Sequence, residues 1–335
     1  MYSTMKENKL QVIDYMRFIA ILSIVVWHCS LCPYQSWELL DIKALPIYYP
    51  FKVLSTVFFP DATMPLFTFI SGYLFSYLIE QGKYKDFYSF VINKVNRLII
   101  PFIIIGTLVT LTSYNRYVVD IPWGEGSHLW YCCMLFWCFI ISWIVVKYTH
   151  QKYLLLLLIA SFMLQMAVEN HFKMGFKLPL GIHHSLYYMG YFIAGFWLYK
   201  NTKYVETLHK YIWYFVPLYL FACIMSMMDI YFVSKLFRIL HCYMYSVILL
   251  IVFNTIIIRN TKICLMIEAV CKLSFGIYVF HEWISWNFCH VPAVTDFLRV
   301  HYIFFPIVNF VSIFAMSYIL THFFIKTKIG RYLLL

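Results

Sequence analysis

Apolar stretches of roughly membrane-spanning length recur along the chain, separated by short polar loops: residues 12–32, 61–80, 98–114, 128–147, 153–169, 185–200, 211–229, 239–258, 273–289 and 302–325. A transmembrane helix needs about 20 predominantly apolar residues. The pattern therefore predicts an all-α, polytopic membrane protein of about ten helices, with both termini on one side. Two places are less regular. Pro60 and Pro65 interrupt the pattern around 51–65, and 263–272 reads as an interfacial helix feeding the ninth span. No fixed-period repeat or low-complexity linker divides the sequence. Residues 1–335 are expected to form a single transmembrane domain with no separate soluble domain.

Composition agrees. The chain of 335 residues is 63% hydrophobic and only 12% charged, with a mean hydropathy of +0.75, too apolar for a soluble domain. A net charge of +11 raises the question of nucleic acid. The basic residues, however, are spread over short loops and form no single basic face, so no nucleic-acid partner is expected. On the ten-span reading, seventeen Lys and Arg fall on the side of the termini and eight on the other. The positive-inside rule then places both termini in the cytoplasm. Lys6 and Lys9 precede a long first span that carries Asp and Arg and lacks a small-residue cleavage site, which reads as a retained helix and not a signal peptide. The ten cysteines lie mostly in or beside apolar spans and read as buried packing residues. Cys29 and Cys32 form the one CxxC, next to His28; a metal or redox pair is open there, but with no second ligand pair beside it the first reading is two packing thiols at a helix end.

Ionisable residues inside spans are costly and mark function. Asp14, Arg17 and His28 all fall in the first span. Eleven positions separate Arg17 from His28, so on an α-helix they share a face, about 20° apart around it and about 16 Å apart along it. Asp14 is placed to hold the guanidinium through an i,i+3 pair. His281 and Glu282 are a second ionisable pair within a span, whose bland role is a polar contact between helices. His128 and the loop pair His183 and His184 read as hydrogen-bonded interface residues. Lys94 and Arg97 put two cations three residues apart at the mouth of the third span, where lipid anchoring and phosphate binding are both open. Ser71 and Gly72 interrupt an aromatic run and read first as a packing notch.

Several of these segments together resemble a family. The first span resembles the opening helix of the acyltransferase 3 family, integral membrane enzymes that acylate hydroxyls of cell-envelope glycans. Met64-Pro-Leu-Phe-Thr-Phe-Ile-Ser71-Gly72-Tyr-Leu-Phe resembles its "PLFFFISGFL", and Lys94-Val-Asn-Arg97-Leu-Ile-Ile-Pro101 resembles its "RxxRLxP", with Lys in the first cationic position. His128-Leu-Trp130-Tyr, Tyr188-Met-Gly-Tyr-Phe192-Ile-Ala-Gly195 and Leu273-Ser-Phe-Gly276-Ile-Tyr278-Val-Phe-His281-Glu282 resemble three more of its segments, in the same order. The hydrolase-like C-terminal domain of some relatives is not expected here.

The resemblance implies transfer of an acyl group, acetyl in the first instance, from cytoplasmic acyl-CoA to a hydroxyl of an envelope or exported polysaccharide or glycolipid, in the bacterial cytoplasmic membrane. His28 and Arg17 would be catalytic, with His28 as general base. Arg17, Lys94 and Arg97 would receive the donor's phosphates, and Asp14, Ser71, His281 and Glu282 would support the site. Acyl-CoA, the glycan acceptor and lipids are the expected partners, with no permanently bound cofactor and no metal. Two rival readings are a transporter or flippase of glycan intermediates, using Arg17 and His28 as a substrate and proton path, and a purely structural membrane scaffold.

Overall fold

The computed structural model describes residues 2–31, 53, 56–58, 63–84, 86–114, 118–125, 128–148, 150–168, 178–255 and 261–334. Among the described residues every long element is a helix and there is no strand. In chain order these are α1 (Tyr2–Val26), α2 (Thr63–Glu80), α3 (Phe87–Lys94), α4 (Ile100–Val109), α5 (Trp130–Tyr148), α6 (Leu154–Ala167) and α7 (Ile182–Lys200). They continue as α8 (Thr202–Lys210), α9 (Ile212–Ser226), α10 (Tyr231–Thr255), α11 (Thr261–Cys289), α12 (Pro292–Val300), α13 (Phe305–Phe324) and α14 (Lys328–Leu334).

All ten expected spans fall on helices, but they do not all qualify as spans. Among the described residues seven helical segments are long and apolar enough to cross a membrane. An eighth follows if α8 and α9, bent by 87° about Tyr211, count as one broken span. The remaining shortfall is physical: α6 has 14 residues, and α7 begins with two buried histidines. The expected interfacial helix at 263–272 is also revised, because α11 runs unbroken for 29 residues. The protein is a multi-pass membrane protein.

The chain forms two compact units, one made of Met1–Thr63 with Ile256–Leu335, the other of Met64–Thr255. In the first unit α1, α11 and α13 pack against one another. α13 shows how membrane helices invert the soluble pattern. Its buried face carries Phe305, Asn309, Ile313, Ser317 and Thr321, whereas Ile307, Val311, Ile319 and Phe323 are exposed. Polar groups thus turn inward and hydrocarbon outward. Ser317 and Thr321 satisfy their hydroxyls on the carbonyls of Ile313 and Ser317, which lets them pack as small residues.

In the second unit two helices meet backbone to backbone. A Cβ on Gly72 of α2 would overlap the carbonyl of Phe192 on α7, and one on Gly195 of α7 would overlap the carbonyl of Phe69 on α2. The contact is reciprocal, so both motif glycines are explained by close approach. Phe75 packs beside this seam against Phe90, Phe139, Phe192 and Phe196. Gly82, at φ 68°, ends α2 in a left-handed residue, with Gly82 N donating to Ile79 O and Lys83 N to Leu78 O, the Schellman arrangement. The nine described cysteines are free thiols. Cys32, and with it the Cys29/Cys32 pair, lies outside the described residues.

Candidate active site

α1 keeps α-geometry as far as Val26 and then widens into a π-turn, Trp27–Leu31, which carries His28. A physical cause stands in the sequence. Residue 33 is proline, which has no N–H to give to the carbonyl of Cys29 four positions earlier, so the α pattern of hydrogen bonds cannot continue there. A wide turn is a common adjustment at such a place and is frequent at functional sites.

The π-turn rests on α11 and α13 and delivers His28 to two residues from the far end of the chain. His28 Nδ1 lies 2.9 Å from Oε2 of Glu282. Its ring centre is 4.9 Å from that of His281, with the planes tilted by 56°. His28 and Glu282 keep only 14% and 11% of their side chains exposed, and His281 is fully buried. The approach of Glu282 to His28 is an ion-pair distance, and a carboxylate beside Nδ1 favours a neutral imidazole that carries its proton on that nitrogen and presents Nε2 as the basic atom. His281 is fixed differently. Its Nδ1 faces the carbonyls of Ile277, at 3.1 Å, and Tyr278, at 2.7 Å, so this nitrogen is the donor and the ring is folded onto its own helix. Of the two imidazoles, His28 is the one with an acidic partner at 2.9 Å.

Lower on α1, Arg17 Nη1 donates to Asp14 Oδ1 at 3.3 Å, the i,i+3 pair expected from spacing. The Cys271 thiol donates to the Asp14 carbonyl at 3.1 Å, which seats this turn on α11. Because the α-helix is unbroken from Arg17 to Val26, Arg17 and His28 stay about three turns apart.

A pair of ionisable residues packed inside spans suits proton transfer in a site from which water is largely excluded. The acyltransferase 3 family model, an acyltransferase domain, matches residues 10–325. The chain belongs to the acyltransferase 3 family. It is an acyltransferase of a family that typically acylates glycans. No curated protein and no solved structure matches it.

The second unit holds the remaining acyltransferase 3 motif residues. α3 is capped by Asp86, whose carboxylate accepts from the backbone of Tyr88 at 2.9 Å and Ser89 at 3.0 Å. After Lys94 a second π-turn, Val95–Ile99, leads to α4, with Ile100 N donating to Val95 O five residues back. Here too a proline, Pro101, stands four residues after a carbonyl it cannot serve, that of Arg97.

The two cations expected to act together are parted by this arrangement. Lys94 turns into an aromatic cage, with Nζ 3.6 Å from the ring centre of Phe139, 5.3 Å from Tyr84 and 5.6 Å from Phe90, and 3.4 Å from the Tyr84 hydroxyl. It is 8% exposed, so its ammonium is occupied by cation–π contacts and is not turned out to a phosphate. Arg97 is exposed. Ser71 is half-buried and, with Thr68, faces the buried Tyr131 hydroxyl.

His183 and His184 lie in the first turn of α7 and not in a loop. Both are buried, their ring centres 3.9 Å apart, and Glu125 Oε1 lies 3.6 Å and 4.0 Å from their Nε2 atoms. The spacing of these three side chains could hold a metal ion. Leu178 N, however, donates to His183 Nδ1 at 3.2 Å, which places the neutral ring's proton on Nε2, facing Glu125. At 3.6 Å His183 Nε2 and Glu125 Oε1 are in charge contact, beyond hydrogen-bond distance, but a proton on Nε2 competes with metal ligation at that nitrogen. Glu125 went unnoticed in the sequence because it is a loop carboxylate 58 residues before the first of the two histidines it meets. Asn309 was passed over too, and its signal was a lone amide in an apolar span.

Proposed function

We propose that the protein transfers an acyl group, acetyl in the first instance, from cytoplasmic acyl-CoA to a hydroxyl of an envelope or exported glycan in the bacterial cytoplasmic membrane. The observation that carries this reading is the 2.9 Å approach of Glu282 to His28 Nδ1 inside helices of an acyltransferase. His28 Nε2 takes the proton of the acceptor hydroxyl. The hydroxyl oxygen attacks the thioester carbonyl, the C–S bond breaks, and the departing thiolate recovers a proton to leave as CoA. Glu282 keeps the imidazole in the productive tautomer and stabilises the imidazolium that forms, a role worth orders of magnitude where it has been measured.

Arg97, exposed in its π-turn, offers a guanidinium to the donor's phosphates. Arg17, held by Asp14, is a cation on the helix that carries His28. Lys94 is reassigned from phosphate binding to packing of the aromatic core. Both termini are cytoplasmic on this reading, which keeps the ten-span assignment of the loop charges.

The test is transfer from radiolabelled acetyl-CoA into the polysaccharide of cells with and without the protein, with His28→Gln as the control. Label in alkali-labile ester on the glycan, dependent on His28, is the expected result. Glycan export that depends on the protein without any ester-linked label would replace acyl transfer by transport.

A further inference from the structure

One buried side chain in the first unit touches both helices that make the His28–Glu282 pair, although it belongs to neither. Asn309 of α13 is fully buried. Its Nδ2 donates to the carbonyl of Cys29 at 2.6 Å and to the Cys289 thiol at 3.5 Å. Cys29 follows His28 in the π-turn, and Cys289 lies seven residues, two helical turns, after Glu282 on α11.

The carbonyl that Asn309 serves is the one that the chain cannot serve in α-fashion, because the residue four positions on is Pro33. The amide of α13 takes up that acceptor and, through Cys289, links the turn to the helix carrying Glu282. Asn309 Oδ1 has no hydrogen-bond partner among the described residues. The side chain is therefore used through its N–H₂ end, and the donor is what matters.

We propose that Asn309 is a positioning residue of the transferase: by holding the Cys29 carbonyl it fixes the end of α1 so that His28 Nδ1 meets Glu282. The inference rests on the reading of His28 as the general base. Displacing a catalytic group by about 1 Å costs as much as about 10²-fold in rate, so loss of this single donor is felt at the chemical step, while donor binding is untouched.

The test uses the full chain purified in detergent, with acetyl-CoA as donor and methyl glucoside as hydroxyl acceptor, CoA release being followed by chromatography. Asn309→Asp keeps the size and loses the donor. It is expected to lower kcat about 10- to 100-fold with KM for acetyl-CoA within about twofold of wild type, and Asn309→Gln, which restores an N–H₂ group, is expected to recover part of kcat. Hydrogen exchange measured by mass spectrometry supplies a readout independent of turnover. Amides of the segment Val25–Leu31 should exchange faster in Asn309→Asp, while those of Ile277–Glu282 stay protected. If Asn309→Asp is not recovered folded, Asn309→Ser, too short to span both partners, is expected to show the same split.

Wild-type kcat together with unchanged exchange in Val25–Leu31 overturns the proposal. So does a Gln variant no better than Asp, or a parallel rise in exchange across both segments, since either marks a merely structural role. His28→Gln keeps the two readings apart. If it retains full transfer, the base is misassigned; if it is inactive while Asn309→Asp behaves as wild type, only the positioning role of Asn309 falls.

Discussion

His28 Nδ1 and Glu282 Oε2 lie 2.9 Å apart, although one belongs to the first transmembrane helix and the other to the helix that opens the last part of the chain. On the proposed reading His28 is the general base and Glu282 the carboxylate that orients its ring. Glu282→Gln keeps the size and removes the charge. It should lower transfer by roughly 10²-fold or more with the protein still folded, and His28→Gln should remove nearly all of it. Turnover of purified, monodisperse variants decides the matter, and a Glu282→Gln enzyme of wild-type kcat would leave the pair without a catalytic role.

The cage around Lys94 separates it from Arg97 in consequence as well as in space. Arg97→Ala should raise KM for acyl-CoA about tenfold, the worth of one charge-assisted phosphate contact, with little change in thermal stability. Lys94→Met, apolar and of similar length, should leave KM unchanged, because replacing a buried cation by a hydrophobe of like volume is often neutral for stability. Equal rises in KM for the two variants would restore Lys94 to the donor site.

The reciprocal contacts of Gly72 with Phe192 and of Gly195 with Phe69 leave no room for a methyl group. Gly72→Ala and Gly195→Ala should each destabilise the protein by about 1–3 kcal/mol through overpacking. Thermal unfolding in detergent measures the effect. The double variant should cost less than the sum of the singles, since one displacement of α2 from α7 relieves both overlaps.

Asp86 caps α3 just before the apolar segment Phe87–Thr112, and the hydrogen bonds from the Ser89 side chain, then from the backbone of Ser89 and Tyr88, hold its carboxyl below the ordinary carboxylate range. The depressed value sets the sign. The cap's contribution is fully present above the unfolded-chain value of about 3.9 and is lost as pH falls through the lower folded value. Protection of the Tyr88 and Ser89 amides, taken relative to their intrinsic exchange rates at each pH, should therefore fall on acidification in the wild type. In Asp86→Ala the same amides should lack that protection at every pH.

The bias of Lys and Arg towards the loops on the side of the termini predicts that the turn at Gly82 and Lys83 faces the cytoplasm. A cysteine placed at Lys83 should be labelled by a membrane-impermeant thiol reagent only after cells are opened. Labelling in intact cells would invert the topology and, with it, the side from which the donor arrives.

By itself the sequence determined what local chemistry can determine. Long apolar runs demand helices in lipid because every backbone N–H and C=O must be satisfied within the segment, and the described parts of the ten runs lie mostly on helices. The Asp14–Arg17 pair follows from i,i+3 spacing, and two of the three described π-turns, Trp27–Leu31 and Val95–Ile99 but not Thr110–Tyr114, are matched by prolines visible in the sequence at 33 and 101. Which helices qualify as spans was less legible, because α6 is short and hydropathy does not mark the 87° bend between α8 and α9. Only the tertiary structure decided what faces what. It brought Glu282 to His28, turned Lys94 into a ring of aromatics although its charge pattern suggested an exposed phosphate ligand, and gathered Glu125 with His183 and His184. The physical reason is that a side chain's partner across a helix interface depends on the rotation and depth of two helices distant in the chain, and neither quantity is encoded in the spacing along one of them.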